Sequence, residues 1–276
     1  MLLGVHGGFM DMENGMNVDM TKAIDKDLIF FVVLLLAWTW GGGYVLKDHA
    51  TDALGFFFLF STLVLPLTFM RYRNVSLRDL GITRDLGNKR LYTKVMVLYL
   101  ILFASLVLIT MSLVADVPVD GMLLVQATVI LPLILVITII QAFMEELTWA
   151  GWLYGKVFTG YMVKVFIISM IWMVWHIPFY LWTDQLIDLV PLRLEALGLL
   201  VVYFFALRYL YSWFREHSGN PLWATIAHGV ANGSGFIAII ALDDPVFTGG
   251  FVLFAVIAAF NLVLAYVLHQ RYPPMP

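Results

Sequence analysis

Residues 95–114 read VMVLYLILFASLVLITMSLV, an unbroken apolar stretch without one charged side chain. At about 1.5 Å per helical residue it is about 30 Å long, the thickness of a bilayer's hydrocarbon core. A strand or the buried helix of a soluble domain uses a shorter apolar run. The stretch therefore predicts a transmembrane helix. Working outward from it, comparable runs recur at roughly 28–46, 52–70, 122–154, 165–182, 190–210, 222–241 and 248–268. Together they predict an all-α, polytopic membrane bundle of about eight helices. The fourth run is long, and Pro132 is expected either to kink it or to leave its last turns projecting beyond the bilayer.

Composition agrees. The 276 residues are 62% hydrophobic and 13% charged, against about half and about a quarter in a soluble domain. A net charge of −3 is too small to suggest a polyanionic partner, so no nucleic acid is expected. The absence of cysteine removes disulfides, a thiolate nucleophile and thiolate metal sites. Residues 1–27 are polar and Met-rich and lack the basic start and short apolar core of a signal peptide. They read as a cytoplasmic tail, and 28–276 as one transmembrane domain.

Lys and Arg set the expected orientation. Arg71, Arg73, Arg78, Arg84, Lys89, Arg90 and Lys94 follow the second span, and Lys156 and Lys164 follow the fourth. Arg208 and Arg215 are assigned to the connection between the sixth and seventh spans, and Arg271 to the tail. Only Lys47 and Arg193 fall on the opposite side, among Asp116, Asp120, Asp184, Asp188, Asp243 and Asp244. The positive-inside rule then puts both termini in the cytoplasm.

Ionisable or amide side chains inside the spans are the exceptions that carry information, because a charge near the bilayer centre costs at least about 2.5–3.5 kcal/mol. Glu145 and Glu146 lie in the fourth run, His176 in the fifth, and His228 and Asn232 in the seventh. Counted from the basic ends of their helices, Glu145, His176, His228 and Asn232 lie about 15, 18, 12 and 18 Å deep. That is one level, open to the cytoplasmic side. His228 and Asn232, four apart, share a face; Glu145 and Glu146, adjacent, cannot aim at one point. Glu146 shares its face with Ala150.

Peptide hydrolysis needs a water, a base to activate it and donors for the oxyanion. Glu145 with His176 could supply the first function, and His228 with Asn232 the second, with no Ser or Cys nucleophile. The same groups admit a second chemistry. Glu145, His176 and His228 make a two-histidine, one-carboxylate zinc set, although the His-Glu-x-x-His helix motif is absent. A proton relay through the buried Glu and His is a third reading, but no comparable polar residues continue through the outer half of the spans.

Glu145-Glu146-Leu147-Thr148-Trp149-Ala150-Gly151, then Trp172-Met173-Val174-Trp175-His176, then His228-Gly229-Val230-Ala231-Asn232 resemble in order and spacing the three motifs of the CPBP family, the CAAX proteases and bacteriocin-processing (Abi) enzymes. The resemblance spans about 140–240 and lies nearest the type II CAAX prenyl endopeptidase branch. Ser76-Leu77-Arg78-Asp79-Leu80-Gly81 also looks like a segment that precedes the family's core. The resemblance implies an eight-helix intramembrane hydrolase, either of glutamate type or a metallo-endopeptidase, that removes the last three residues of prenylated CAAX proteins at a cytoplasm-facing site. It implies Glu145 and His176 on the water, His228 and Asn232 at the oxyanion, and Glu146 beside them. No cofactor is expected in the prenyl-protein branch, with zinc as the alternative. The partners expected are a prenylated protein tail, or another membrane-associated peptide, and the lipid bilayer. The family usually has Arg where this chain has Ala150. Glu146 thereby loses its expected partner, which leaves it neutral, bonded to backbone or water, or turned to another helix. A non-catalytic binding or regulatory relative is the competing expectation.

Overall fold

A computed structural model describes residues 26–47, 51–116, 118–157, 159–182, 194–242 and 250–273. Most of the expected tail, with Asp184, Asp188, Arg193, Asp243 and Asp244, lies outside the described residues.

The described residues form helices α1 (Lys26–Leu46), α2 (Thr51–Arg73), α3 (Lys89–Ala115), α4 (Gly121–Glu146), α5 (Tyr161–Trp182), α6 (Leu194–Ser218), α7 (Pro221–Ala241) and α8 (Gly250–Arg271). Seven of these, α4 taken on to Lys156, are long and apolar enough to cross a membrane. The remaining one, α2, has 23 residues and no charge over 53–70. Large apolar side chains such as Ile101, Leu113, Val129 and Val263 point outward, as lipid-facing positions require. The chain is an all-α polytopic bundle.

Local chemistry fixes several helix starts. Asp120 accepts the Met122 and Leu123 amides at 2.7 and 3.0 Å, and Asn88 accepts that of Leu91. Asn220 accepts that of Leu222, with Pro221 in the first turn. These are N-caps, which satisfy amides that the first turn leaves without partners.

Two boundaries differ from the sequence expectation. The sixth span does not end near 210 but runs to Ser218. Arg208 and Arg215 are therefore helical residues, not part of a connection, and Arg208 has no solvent exposure. The fourth run passes through Pro132 as helix, and its irregularity comes later. Leu147–Leu153 is a π-helix, entirely buried, followed by one turn at Tyr154–Lys156. π geometry shifts the hydrogen-bond register by one residue and leaves backbone groups for other partners. Here the Arg215 Nε–H donates to the Ala150 carbonyl at 2.8 Å, and the Thr148 hydroxyl donates to the Thr62 carbonyl of α2 at 3.0 Å.

The basic loop between α2 and α3 packs against the turn between α6 and α7. Asn220 Nδ2 donates to the carbonyls of Thr83 and Asp85, both at 3.0 Å, and the Trp223 indole donates to Leu86 at 2.8 Å. Hydrogen bonds from the Ser76 amide and hydroxyl to Asp79 close a turn and hold that carboxyl below the usual carboxylate range. Leu80 is then buried. Gly81 follows at φ +82°, where a Cβ would strike Arg215 and the Gly219 carbonyl. This close approach accounts for the Asp-Leu-Gly order in the loop.

α7 lies against α4 through small residues. A Cβ on Gly229 would come within 2.6 Å of the Ile139 Cα, and one on Gly233 within 3.0 Å of Leu135. Such small-residue contacts let membrane helices approach closely. Gly229→Ala is expected to destabilise the bundle by about 1–3 kcal/mol through overpacking. Thermal unfolding in nanodiscs checks this; an unchanged midpoint would show that α7 can move away freely.

Candidate active site

Four helices supply the polar groups of the site. α4 brings Gln141, Glu145 and Glu146; α5 brings Trp172 and His176; α6 brings Arg208 and Tyr211; α7 brings His228 and Asn232. Glu145, His176, His228 and Asn232 line a single cavity of about 170 Å³, together with Gln141, Trp172 and Tyr211 and a wall of Phe103, Tyr203, Phe204, Leu207 and Ala231. At about 30 Å³ each, this is room for a few water molecules.

Trp172 is the centre of the arrangement. Its indole N–H donates to Glu145 Oε2 at 3.2 Å. Its ring meets His176 and His228 edge to face, with centroids 5.4 and 5.3 Å apart. Its carbonyl, one helical turn back, lies 3.0 Å from His176 Nδ1. A carbonyl only accepts, so the neutral His176 ring carries its proton on Nδ1 and has its acceptor nitrogen at Nε2. Trp175 and Phe204 close on the same ring, with centroids 4.6 and 4.8 Å away.

Glu146 faces elsewhere. It is fully buried and does not line the cavity. Arg208 binds it through both Nη atoms, Nη1 to Oε2 at 2.9 Å and Nη2 to Oε1 at 2.6 Å. His228 Nδ1 lies 3.0 Å from the same Oε1. Of the three states open to Glu146 beside Ala150, the structure shows a turn to another helix, with Arg208 as the partner. The adjacent glutamates thus divide: Glu145 is at the cavity, and Glu146 is behind His228.

Gln141, Trp172, Tyr211 and Arg208 were not among the site residues expected from sequence, although Trp172 lies in the second motif. Gln141 lies one turn before Glu145, a spacing that puts both on one face. Arg208 had a weaker signal: the aromatic run Tyr209–Phe214 continues past it, which a loop would not need. Glu145, His176 and His228 do share a cavity. Even so, among the described residues no three His, Asp or Glu side chains are placed to hold a metal ion.

The family described as Rce1-like, type II CAAX prenyl endopeptidase Rce1-like, matches residues 126–234. This stretch runs from α4 into α7. No curated protein matches the chain. Residues 126–234, which hold Glu145, Glu146, His176, His228 and Asn232, are thus similar in sequence to the type II CAAX prenyl endopeptidases.

Proposed function

We propose that this chain is an intramembrane endopeptidase that removes the C-terminal tripeptide from prenylated CAAX proteins. The observation that carries the reading is the shared cavity: a carboxylate, two imidazoles and an amide from three helices meet in one small buried space. The Rce1-like match over the same helices supports the substrate class.

Glu145 acts as the base. Its carboxylate lies at the cavity, where it can reach a bound water. It takes a proton from a cavity water, while His176 Nε2, as an acceptor, orients that water. The oxygen attacks the carbonyl carbon of the prenylated cysteine. Charge develops on the carbonyl oxygen, where the Asn232 amide donates. The His228 ring stands beside it, held through Nδ1 at Glu146, with Nε2 on the substrate side. The C–N bond then breaks as Glu145 returns its proton to the leaving amine. The products are a prenyl-cysteine carboxylate and a free tripeptide.

The basic loop and helix ends support entry of the tail from their side of the membrane. Arg71, Arg73, Arg78, Arg84 and Lys89 gather where α2 ends and α3 begins. The positive-inside rule favours the cytoplasm for that side, which supports a tail presented from the cytoplasm.

The chain in nanodiscs, given a farnesylated peptide ending in a CAAX sequence, is expected to release the intact tripeptide, seen by mass spectrometry. The same peptide without the prenyl group should be cut far more slowly. A folded preparation that releases no tripeptide would refute the proposal.

A further inference from the structure

The mechanism above leaves one buried cation without a role. Arg208 is inside α6, fully buried, and does not touch the cavity. Yet it stands behind both halves of the site. Its two Nη atoms clamp Glu146, whose Oε1 is shared with His228 Nδ1. Its guanidinium carbon lies 4.8 Å from the centre of the Trp172 ring and 5.3 Å from that of Tyr211. Trp172 holds Glu145. Tyr211 stacks on the His228 ring, with centroids 5.3 Å apart and an 18° interplanar angle.

The sequence of α6 arranges this. Arg208, Tyr211 and Arg215 are spaced three and four apart, so they form one stripe along the helix. Tyr211 meets His228, and the two arginines meet the end of α4, Arg208 at the Glu146 side chain and Arg215 at the Ala150 carbonyl. Position 150 itself carries only a methyl group and is buried. The charge opposite Glu146 therefore has to come from across the helix interface.

We propose that Arg208 is a positioning residue: by clamping Glu146 it keeps the proton of His228 on Nδ1 and so assigns Nε2 to the substrate. A guanidinium on a carboxylate with two parallel hydrogen bonds fixes the plane of that carboxylate. The remaining lone pair on Oε1 then points one way, and His228 Nδ1–H is what meets it. Remove the clamp and Glu146 is a buried charge with a single imidazole beside it. Such a carboxylate turns or takes a proton. An O–H or an empty direction opposite Nδ1 no longer selects a tautomer. A purely structural ion pair would need only the two charged groups; the shared oxygen is what ties this one to the site.

The kinetic part of this inference rests on the peptidase reading, so its test includes a measurement that needs no cleavage. With ¹⁵N-labelled histidine in nanodiscs and His228 assigned by loss of its signals in His228→Gln, the neutral wild-type ring should carry its proton on Nδ1. In Arg208→Met the neutral ring should become a mixture of both tautomers. Tripeptide release should fall roughly tenfold or more in kcat, as for other loosened supporting groups, with KM within about twofold. Arg208→Lys retains the charge without the fork and should lie between the two, and it serves alone if the Met variant does not fold. A His228 tautomer unchanged in a folded Arg208 variant overturns the inference. So does an unchanged kcat accompanied only by lost stability. If the wild type cuts no prenylated peptide, the proposed function fails, and the ring tautomer still decides the role of Arg208.

Discussion

Glu145→Gln is expected to slow tripeptide release by about a hundred- to ten-thousand-fold, the usual worth of a positioned general base, while the protein stays folded. Gln has the same shape and retains an oxygen that can accept the Trp172 indole proton, now at 3.2 Å. Packing around this nearly buried position should therefore survive. What is lost is the ability to take a proton from water. In the proposed mechanism Glu145 acts on the water, so peptide binding should be little changed and the loss should appear in kcat. Tripeptide release followed by mass spectrometry, with a thermal unfolding curve on the same sample, checks both halves. Cleavage at the wild-type rate would remove Glu145 from the chemistry.

Glu146→Leu is expected to be the most destabilising single change in the site. Glu146 and Arg208 are both fully buried, and their side chains have no solvent exposure. Removing one partner of such a pair costs about 3–5 kcal/mol, because the other charge stays behind without compensation. In a chain of this size that is a fall of about 10 °C or more in Tm. Replacing both members with Met removes the stranded charge as well, and apolar replacements of similar volume are often neutral. The double variant should therefore recover most of the lost stability. It should not recover activity, since His228 Nδ1 would still lack its acceptor. A Glu146→Leu protein as stable as wild type would mean that water reaches Arg208 and that the pair is not sealed.

The apolar runs around 95–114 and their counterparts were enough to give the number and approximate ends of the helices, because in a bilayer length and hydropathy are nearly the whole requirement for a span. The same logic isolated Glu145, Glu146, His176, His228 and Asn232: polar groups within otherwise apolar helices stand out one by one, whatever their neighbours. The Glu-Glu, Trp-x-x-Trp-His and His-x-x-x-Asn patterns carried the family resemblance.

Arg208 was misplaced for a related reason. An Arg near the end of an apolar run satisfies the positive-inside rule as a loop residue, and nothing local distinguishes it from a buried one. Only its pairing with Glu146, 62 positions away, reveals which it is. The π-helix at Leu147–Leu153 was equally invisible, since a change of hydrogen-bond register leaves the apolar pattern intact. The number of long helices and the identity of the polar exceptions were determined by the sequence alone, because the cost of burying charge in lipid acts on each residue separately. Which carboxylate faces the cavity, which stands behind His228 and where its counter-charge comes from were decided only by tertiary structure, because directions and distances between helices arise from packing.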